Sequence, residues 1–200
     1  RRSTLQVFEA LTGLAGGAAE AFMRERVGIC FDTCHMAVEY EGCEEAVRAL
    51  QRAGIRITKA QITAGLQIDF DGTTEDQARL AALDAFAEGV YLHQVVEKRG
   101  SKLRRHVDLP AALERWRGGD LPEECRIHFH VPVFREELGP FRGTQGYVAE
   151  FLALIQREAV TPHLELETYT WDVLPEQYRR ESIVDAVAGE LRWVLERVQG

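Results

Sequence analysis

Short apolar runs alternate with helix-like segments over most of the chain, and this alternation restricts the fold more than any other feature. The run at 27–31 is almost wholly apolar, which is typical of a strand buried on both faces. Helical spacing follows at 44–53, then a second apolar run at 55–62, and two later runs occupy 126–134 and 164–169. Strands that alternate with helices predict a parallel sheet covered by helices.

The segments between these runs carry hairpin and helix signals. Thr74 and Gln77 form a capping-box pattern ahead of a predicted helix that reaches Phe86. Two strand-like segments, 90–96 and 102–107, flank a Gly-Ser turn and predict a β-hairpin inserted into the repeat. The remaining helices are predicted before Val27 and at 110–116, 144–158 and 180–198.

Composition limits the class of protein. The 200 residues predict one domain over 1–200, and 46% hydrophobic with 28% charged residues is typical of a globular chain. No apolar run is long enough to span a membrane. The net charge of −8 argues against a nucleic-acid binder, which needs Lys and Arg against phosphates. Four cysteines without a CxxC pair predict free thiols and a cytoplasmic location.

Polar residues that can bind metal stand within or just after each of the four strand-like runs. In a (β/α) barrel the carboxyl ends of the strands converge on one mouth, where catalytic groups lie. Carboxylates and imidazoles at such a place suit a divalent metal ion. The residues in question are Asp32, His35, Gln61, His128, His130, Glu165 and Glu167.

Each of these residues also has a purely structural interpretation. Asp32 alone is typical of a helix cap or a turn. His128 and His130 share one face of a strand, and such a pair is structural as readily as functional. Glu165 and Glu167 also share a face, and two acids directed into a core are costly without a cation. Because the structural interpretation needs several independent coincidences, the sequence favours one shared site.

Three segments resemble the xylose-isomerase-like TIM barrels, which include sugar isomerases, sugar-phosphate epimerases and endonuclease-IV-type enzymes. Gly28-Ile-Cys-Phe-Asp-Thr-Cys-His35 is similar to the strand-five segment, in which the Asp and the His three residues later bind or adjoin metal. Leu166-Glu-Thr168 is similar to the strand-eight motif, whose Glu is a ligand. His128-Phe-His130 resembles an Asp-x-His pair, with His128 in place of Asp. Gln61 stands where many members have His, and its amide is a poorer ligand.

A narrower resemblance covers nearly the whole chain. Segments 31–39, 91–94, 128–132, 143–145 and 167–171 together resemble the EboE family of metabolite-traffic proteins. That family is implicated in moving or maturing secondary-metabolite precursors in bacteria. The resemblance implies the same function here.

The resemblance implies an α/β fold of the (β/α) TIM-barrel type. The four parallel strands would be strands five to eight, so the chain is expected to form the C-terminal half of a barrel with an inserted β-hairpin. Such a half has open edges at 27–31 and 164–168 and an uncovered apolar inner face, which recruit other chains. We therefore expect either a separate N-terminal half-barrel or a homodimer.

The resemblance also implies a site that binds one divalent ion, Zn, Mn or Mg, and a small sugar-like substrate. The expected metal ligands are Asp32, His35, His128, His130 and Glu167, and Glu165 is the candidate catalytic base. The expected substrate contacts are Gln61, His93, Gln94, Gln145 and Trp171, although a surface or core histidine is the default interpretation of His93 and core packing explains Trp171 equally well.

Three functions follow from this site. The first is metal-dependent isomerisation or epimerisation of a sugar or sugar phosphate. The second is binding of a metabolite without turnover, which the replacement of a histidine ligand by Gln61 favours. The third is endonuclease-IV-like phosphodiester cleavage, which the acidic charge disfavours because such an enzyme needs a basic groove.

Overall fold

The computed structural model describes residues 4–167, 171–179 and 182–199. In these ranges the helices are α1 (Thr4–Thr12), α2 (Gly16–Arg26), α3 (Thr33–Val38), α4 (Cys43–Arg52), α5 (Glu75–Leu83), α6 (Leu109–Arg117), α7 (Gln145–Arg157) and α8 (Ile183–Gln199). The strands are β1 (Ile29–Asp32), β2 (Ile57–Ile62), β3 (Ala64–Asp69), β4 (Val95–Arg99), β5 (Lys102–His106), β6 (Glu124–Val131), β7 (Glu137–Leu138), β8 (Phe141–Gly143) and β9 (Leu164–Leu166).

The strands form two sheets that share a continuous stretch of chain. A three-stranded parallel sheet has the order β1-β2-β9, and a six-stranded sheet has the order β5-β4-β6-β3-β8-β7 with antiparallel pairing. Strand β2 passes into β3 through Thr63 alone, so the chain leaves one sheet and enters the other at this residue. The buried Thr33 hydroxyl lies within hydrogen-bonding distance of the Thr63 and Gln61 carbonyls, at 2.7 and 3.0 Å, and accepts from the Thr63 N–H. These bonds attach the start of α3 to the junction between the sheets.

The prediction of a TIM-barrel half is wrong. The run at 126–134, expected as the third parallel strand, is β6, and it lies antiparallel between β3 and β4 in the second sheet. Strand β9 pairs directly with β2, so the parallel sheet has three strands in the described part of the chain. The cause is that β3, which the sequence did not predict, continues β2 and offers β6 an antiparallel edge.

The predicted hairpin exists, but it is not an insertion beside the sheet. Strands β4 and β5 pair antiparallel around Gly100, whose φ of 56° is the left-handed conformation that glycine adopts readily. Strand β4 also pairs along its length with β6. The hairpin therefore forms one edge of the six-stranded sheet.

One face of the parallel sheet packs against the hydrophobic core and the other face is polar. Phe31 of β1 is fully buried and stacks on Phe151 of α7, with the ring centroids 4.9 Å apart. On the opposite face, Lys59 forms an ion pair with Glu165, and the Cys30 thiol donates to the Gln61 side-chain oxygen at 3.3 Å. The apolar inner face that the half-barrel prediction required is therefore a polar and partly exposed surface.

Candidate metal centre

Asp32 is the last residue of β1 and the N-cap of α3, because the strand enters the helix without a loop. Its Oδ1 accepts from the backbone N–H groups of Cys34 and His35, at 2.8 and 3.1 Å, and from the Thr63 hydroxyl at 3.2 Å. Its Oδ2 accepts from Nδ1 of His35 at 2.7 Å. The structural interpretation of Asp32 as a cap is thus correct, and the same carboxylate also orients the His35 ring.

His128 and His130 reach the same place from the antiparallel sheet. They share one face of β6, and their Nε2 atoms lie 3.2 Å apart. The His35 ring lies against His128, with the centroids 4.0 Å apart. Glu167 directly follows β9, two residues beyond the pairing of Glu165 with β2. The centre therefore joins residues from both sheets and from α3.

Three overlapping groups of side chains have the spacing of a metal site. Within each group the ligand atoms all lie within 4.8 Å of one another. Two ligands on one tetrahedral ion are about 3.4 Å apart when each bond is about 2.1 Å, so small side-chain movements suffice to bind an ion. The groups are Asp32, His35 and His128; Asp32, His130 and Glu167; and Cys34, His128 and His130.

The five residues predicted as ligands are therefore all in one cluster. Cys34 is the residue that the sequence analysis did not include. Its position between Asp32 and His35 in the sequence is compatible both with a ligand and with a packed thiol.

The histidines of β6 are suited to bind a cation at neutral pH. Burial lowers the pKa of His128 to about 3, helped by the neighbouring charges of His35 and His130. Burial also lowers the pKa of His130 to about 4, although the charge of Asp32 opposes the change. Both rings are consequently neutral near pH 7, which is the form that binds metal.

The carboxylates also fit a divalent ion. Burial raises the pKa of Asp32, but the hydrogen bond and charge of His35 outweigh it, and the pKa falls to about 2. Burial and the charges of Asp32 and Glu165 raise the pKa of Glu167. The site thus holds the ionised carboxylate of Asp32 beside that of Glu167, whose ionised form is destabilised. A divalent cation would relieve this repulsion.

The His35 ring has the arrangement of a ligand oriented by a carboxylate. Its hydrogen bond to Asp32 raises its pKa, although burial opposes this. With Nδ1 directed at Asp32, Nε2 is the nitrogen that remains to bind an ion, as in carboxylate–histidine–metal contacts. Its side chain is 50% exposed, so the centre is open to solvent on this side.

Gln61 and Glu165 lie on the polar face next to the cluster. Gln61 is paired in register with Asp32 on one side and with Glu165 on the other, so the three residues form one row across the sheet. Lys59, which the sequence analysis did not single out, forms the ion pair with Glu165. Because Lys59 and Gln61 are two residues apart on β2, their side chains lie on the same face of the sheet, which the sequence alone could have indicated.

The other predicted substrate contacts bind protein groups instead. His93 is fully buried, lies 2.9 Å from Glu88 through Nε2, and packs on Phe129. Gln94 contributes its backbone carbonyl, which accepts from the His128 N–H at 2.8 Å. The Gln145 amide donates to the Val133 carbonyl at 2.7 Å, and Trp171 is buried in the hydrophobic core.

Comparison of the chain with protein-family models, with curated proteins and with solved structures gives no match. The resemblances found in the sequence thus remain expectations. Among the described residues, no helix is both long and apolar enough to cross a membrane.

Proposed function

We propose that this chain is a metal-dependent enzyme that isomerises or epimerises a sugar-like substrate, with Zn, Mn or Mg as its ion. The observation that carries the proposal is the convergence of carboxylates and neutral imidazoles beside an open polar face. A bound ion would polarise a carbonyl or hydroxyl group of the substrate. The four free cysteines support a reducing, cytoplasmic location.

The nitrogen and oxygen ligands in this proposal come from different elements of the fold. His128 and His130 supply neutral nitrogen atoms from β6, and Asp32 and Glu167 supply oxygen atoms from the ends of β1 and β9. His35 adds a nitrogen on the exposed side, in an orientation that Asp32 fixes. A mixed nitrogen and oxygen set of this kind suits Zn and Mn better than Mg, which prefers oxygen alone.

The polar face next to the ligands would hold the substrate. Gln61 lies in the row between the two acids and offers an amide that can both donate to and accept from a hydroxyl group. Glu165 is the proposed base that moves a proton between neighbouring carbon atoms of the substrate. Lys59 forms an ion pair with Glu165, and its ammonium group would stay close to the carboxylate during the transfer.

A second function, metabolite binding without turnover, is favoured by the same ion pair. The Glu165 carboxylate already binds the Lys59 ammonium group, so a substrate would have to compete with Lys59 for its oxygen atoms. In this case the same polar face would carry a secondary-metabolite precursor between partner enzymes.

Metal content tests the centre itself. The protein is purified without chelators and its metal is measured by elemental analysis before and after loading with Zn²⁺ or Mn²⁺. We expect Asp32→Asn and His130→Gln to lower the affinity at least about tenfold. His163→Gln is the matched control, because His163 is exposed and belongs to none of the three groups. A wild-type protein that binds neither ion would show that the proposed centre is wrong.

Hydrogen exchange then separates turnover from binding. The loaded protein is incubated in D₂O with a panel of aldoses, ketoses and their phosphates, and deuterium in the recovered sugar is measured by NMR. An isomerase that moves the hydrogen next to the carbonyl as a proton, through a base, exchanges it with solvent, and Glu165→Gln should abolish this exchange while the bound metal is kept. Metal binding and sugar binding with neither exchange nor conversion of any sugar to its isomer would support the binding function instead.

A further inference from the structure

Cys34 lies on the buried side of the metal centre. It is the second residue of α3, its side chain is fully buried, and its sulfur lies within 4.8 Å of a ring nitrogen of both His128 and His130. Asp32 and Glu167, in contrast, are partly exposed and form a group with His130 on the more exposed side. The cluster therefore has a sulfur-containing side and an oxygen-containing side that share a histidine.

The backbone of β3 fixes the position of the sulfur. Gly65 is paired in register with His130, at an irregularity in the β3–β6 ladder. A Cβ atom at position 65 would lie 3.1 Å from the Cys34 sulfur and 3.0 Å from the Ile127 carbonyl oxygen. Glycine at this position thus leaves the thiol enough room to stand beside the His130 strand.

We propose that Cys34 is a metal ligand and that its thiolate forms, with His128 and His130, a Zn²⁺ position distinct from the carboxylate position. The inference rests on the metal centre of the proposed function and extends it to the choice of ion. On binding, the S–H bond breaks, the proton leaves to solvent, and the sulfur electron pair forms the bond to the ion. One thiolate with two imidazoles is a ligand set that Zn²⁺ favours, whereas Mn²⁺ and Mg²⁺ favour the oxygen atoms of Asp32 and Glu167.

Cobalt substitution tests the sulfur bond directly, because a thiolate on Co²⁺ gives a charge-transfer band in the near ultraviolet that nitrogen and oxygen ligands do not give. The full chain is loaded with Co²⁺ and its absorption spectrum is compared with those of Cys34→Ser and Cys125→Ser. Cys125 is the matched control, since it is equally buried, lies on β6 and belongs to none of the three groups. We expect the band in the wild type and in Cys125→Ser, and its loss in Cys34→Ser.

X-ray absorption of the Zn²⁺-loaded wild type provides a measurement that does not depend on a variant. One sulfur at about 2.3 Å beside nitrogen atoms at about 2.0–2.1 Å supports the inference even if Cys34→Ser fails to fold. Bound Zn²⁺ with nitrogen and oxygen neighbours alone overturns it and leaves the proposed function intact. Failure to bind Co²⁺ or Zn²⁺ at all overturns both the inference and the metal centre.

Discussion

At the scale of single residues, Asp32 combines two tasks that a substitution can separate. One oxygen caps α3 and binds Thr63, and the other binds His35. Asparagine keeps a carbonyl oxygen that can accept the capping N–H groups but removes the charge that attracts a cation. Asp32→Asn is therefore a better probe of the centre than alanine, which would also remove the cap and cost about 0.5–2 kcal/mol of stability.

The buried histidines make the metal-free protein sensitive to acid. The pKa values of His128 and His130 are about 3 and about 4 in the folded protein. In the unfolded chain, histidine has a pKa of about 6.5, so below this pH the unfolded state binds more protons than the folded state. The free energy of unfolding should thus fall as the pH is lowered from about 6.5 to about 4, by up to about 1.4 kcal/mol per pH unit for each histidine.

Urea unfolding of the metal-free protein at a series of pH values measures this effect. His130→Gln should reduce the slope below pH 6.5, whereas the exposed control His163→Gln should leave the contribution of the buried pair unchanged. The contribution of His35 to the free energy of unfolding has the opposite pH dependence. Its raised pKa stabilises the fold at lower pH, and this stabilisation is lost above about 6.5. A stability that does not change between pH 6.5 and 4.5 would contradict the burial of neutral rings.

At the scale of elements, the contact between α3, β3 and β6 depends on the absence of a side chain at Gly65. Alanine there would press on the Ile127 carbonyl, on the Cys34 sulfur and on a methyl group of Val38, all at 3.0–3.1 Å. We expect Gly65→Ala to destabilise the protein by about 1–3 kcal/mol and to weaken metal binding, since it displaces α3 from β6.

Gly146→Ala is the matched control for this substitution. Gly146 lies in the first turn of α7, and an added Cβ has no neighbour within 4 Å. Alanine is a better helix former than glycine, so this variant should be neutral or more stable by about 0.4–1 kcal/mol. Thermal unfolding of the two variants with and without metal gives both comparisons, and equal stability of the two would show that the contact is loose.

Element positions could be predicted from the sequence, but strand directions could not. Periodicity located β1, β2, β6 and the hairpin because burial patterns are local. A buried strand has the same pattern whether its neighbours are parallel or antiparallel, so the direction of β6 was not determined. Strand β3 was missed because Ile62, Thr63 and Ala64 continue the apolar run of β2 without a turn signal.

The candidate ligands could be predicted even though the fold was not, because their chemistry does not depend on strand direction. Asp32 and Glu167 do stand at the ends of parallel strands, as the barrel argument required. His128 and His130 are inside β6 and reach the cluster across the junction of the two sheets. The proximity of Cys34 to these histidines could not be predicted, because it depends on the register of Gly65 with His130, which only the three-dimensional structure provides.

At the scale of the whole molecule, the centre lies where the two sheets meet. The parallel sheet supplies the acids and the polar face, and the antiparallel sheet supplies the imidazoles. Thr63 joins β2 to β3, and Thr33 binds both sides of this junction. The distance between Asp32 and His130 therefore depends on how the two sheets are joined at Thr63.

Helix α8 carries an exposed apolar stripe that bears on the assembly of the molecule. Its buried face includes Ala186 and Val194, whereas Ile183 and Leu191 are exposed. The outward stripe consists of Val184, Ala188, Leu191 and Leu195, which are spaced by four, three and four residues. This heptad-like spacing is typical of a helix that packs against another helix.

We expect the protein to form a homodimer in which the α8 helices of two copies pack together. Val184 is 72% exposed, and Leu191 and Leu195 are 48% and 49% exposed, so three large apolar side chains face outward along one side of the helix. Burial of a fully exposed leucine contributes about 1.5–3 kcal/mol, of which about half remains available to Leu191 and Leu195, and a symmetric pair buries each residue twice. Light scattering after size-exclusion chromatography should thus give twice the 22.6 kDa mass of the chain.

The double variant Leu191→Lys and Leu195→Lys should be a folded monomer, because four added charges in the interface repel one another. Val107→Lys, which changes a residue that is 75% exposed outside α8, should remain a dimer. A wild-type monomer at the highest soluble concentration would contradict this assembly, and a dimer that survives the double variant would place the interface elsewhere.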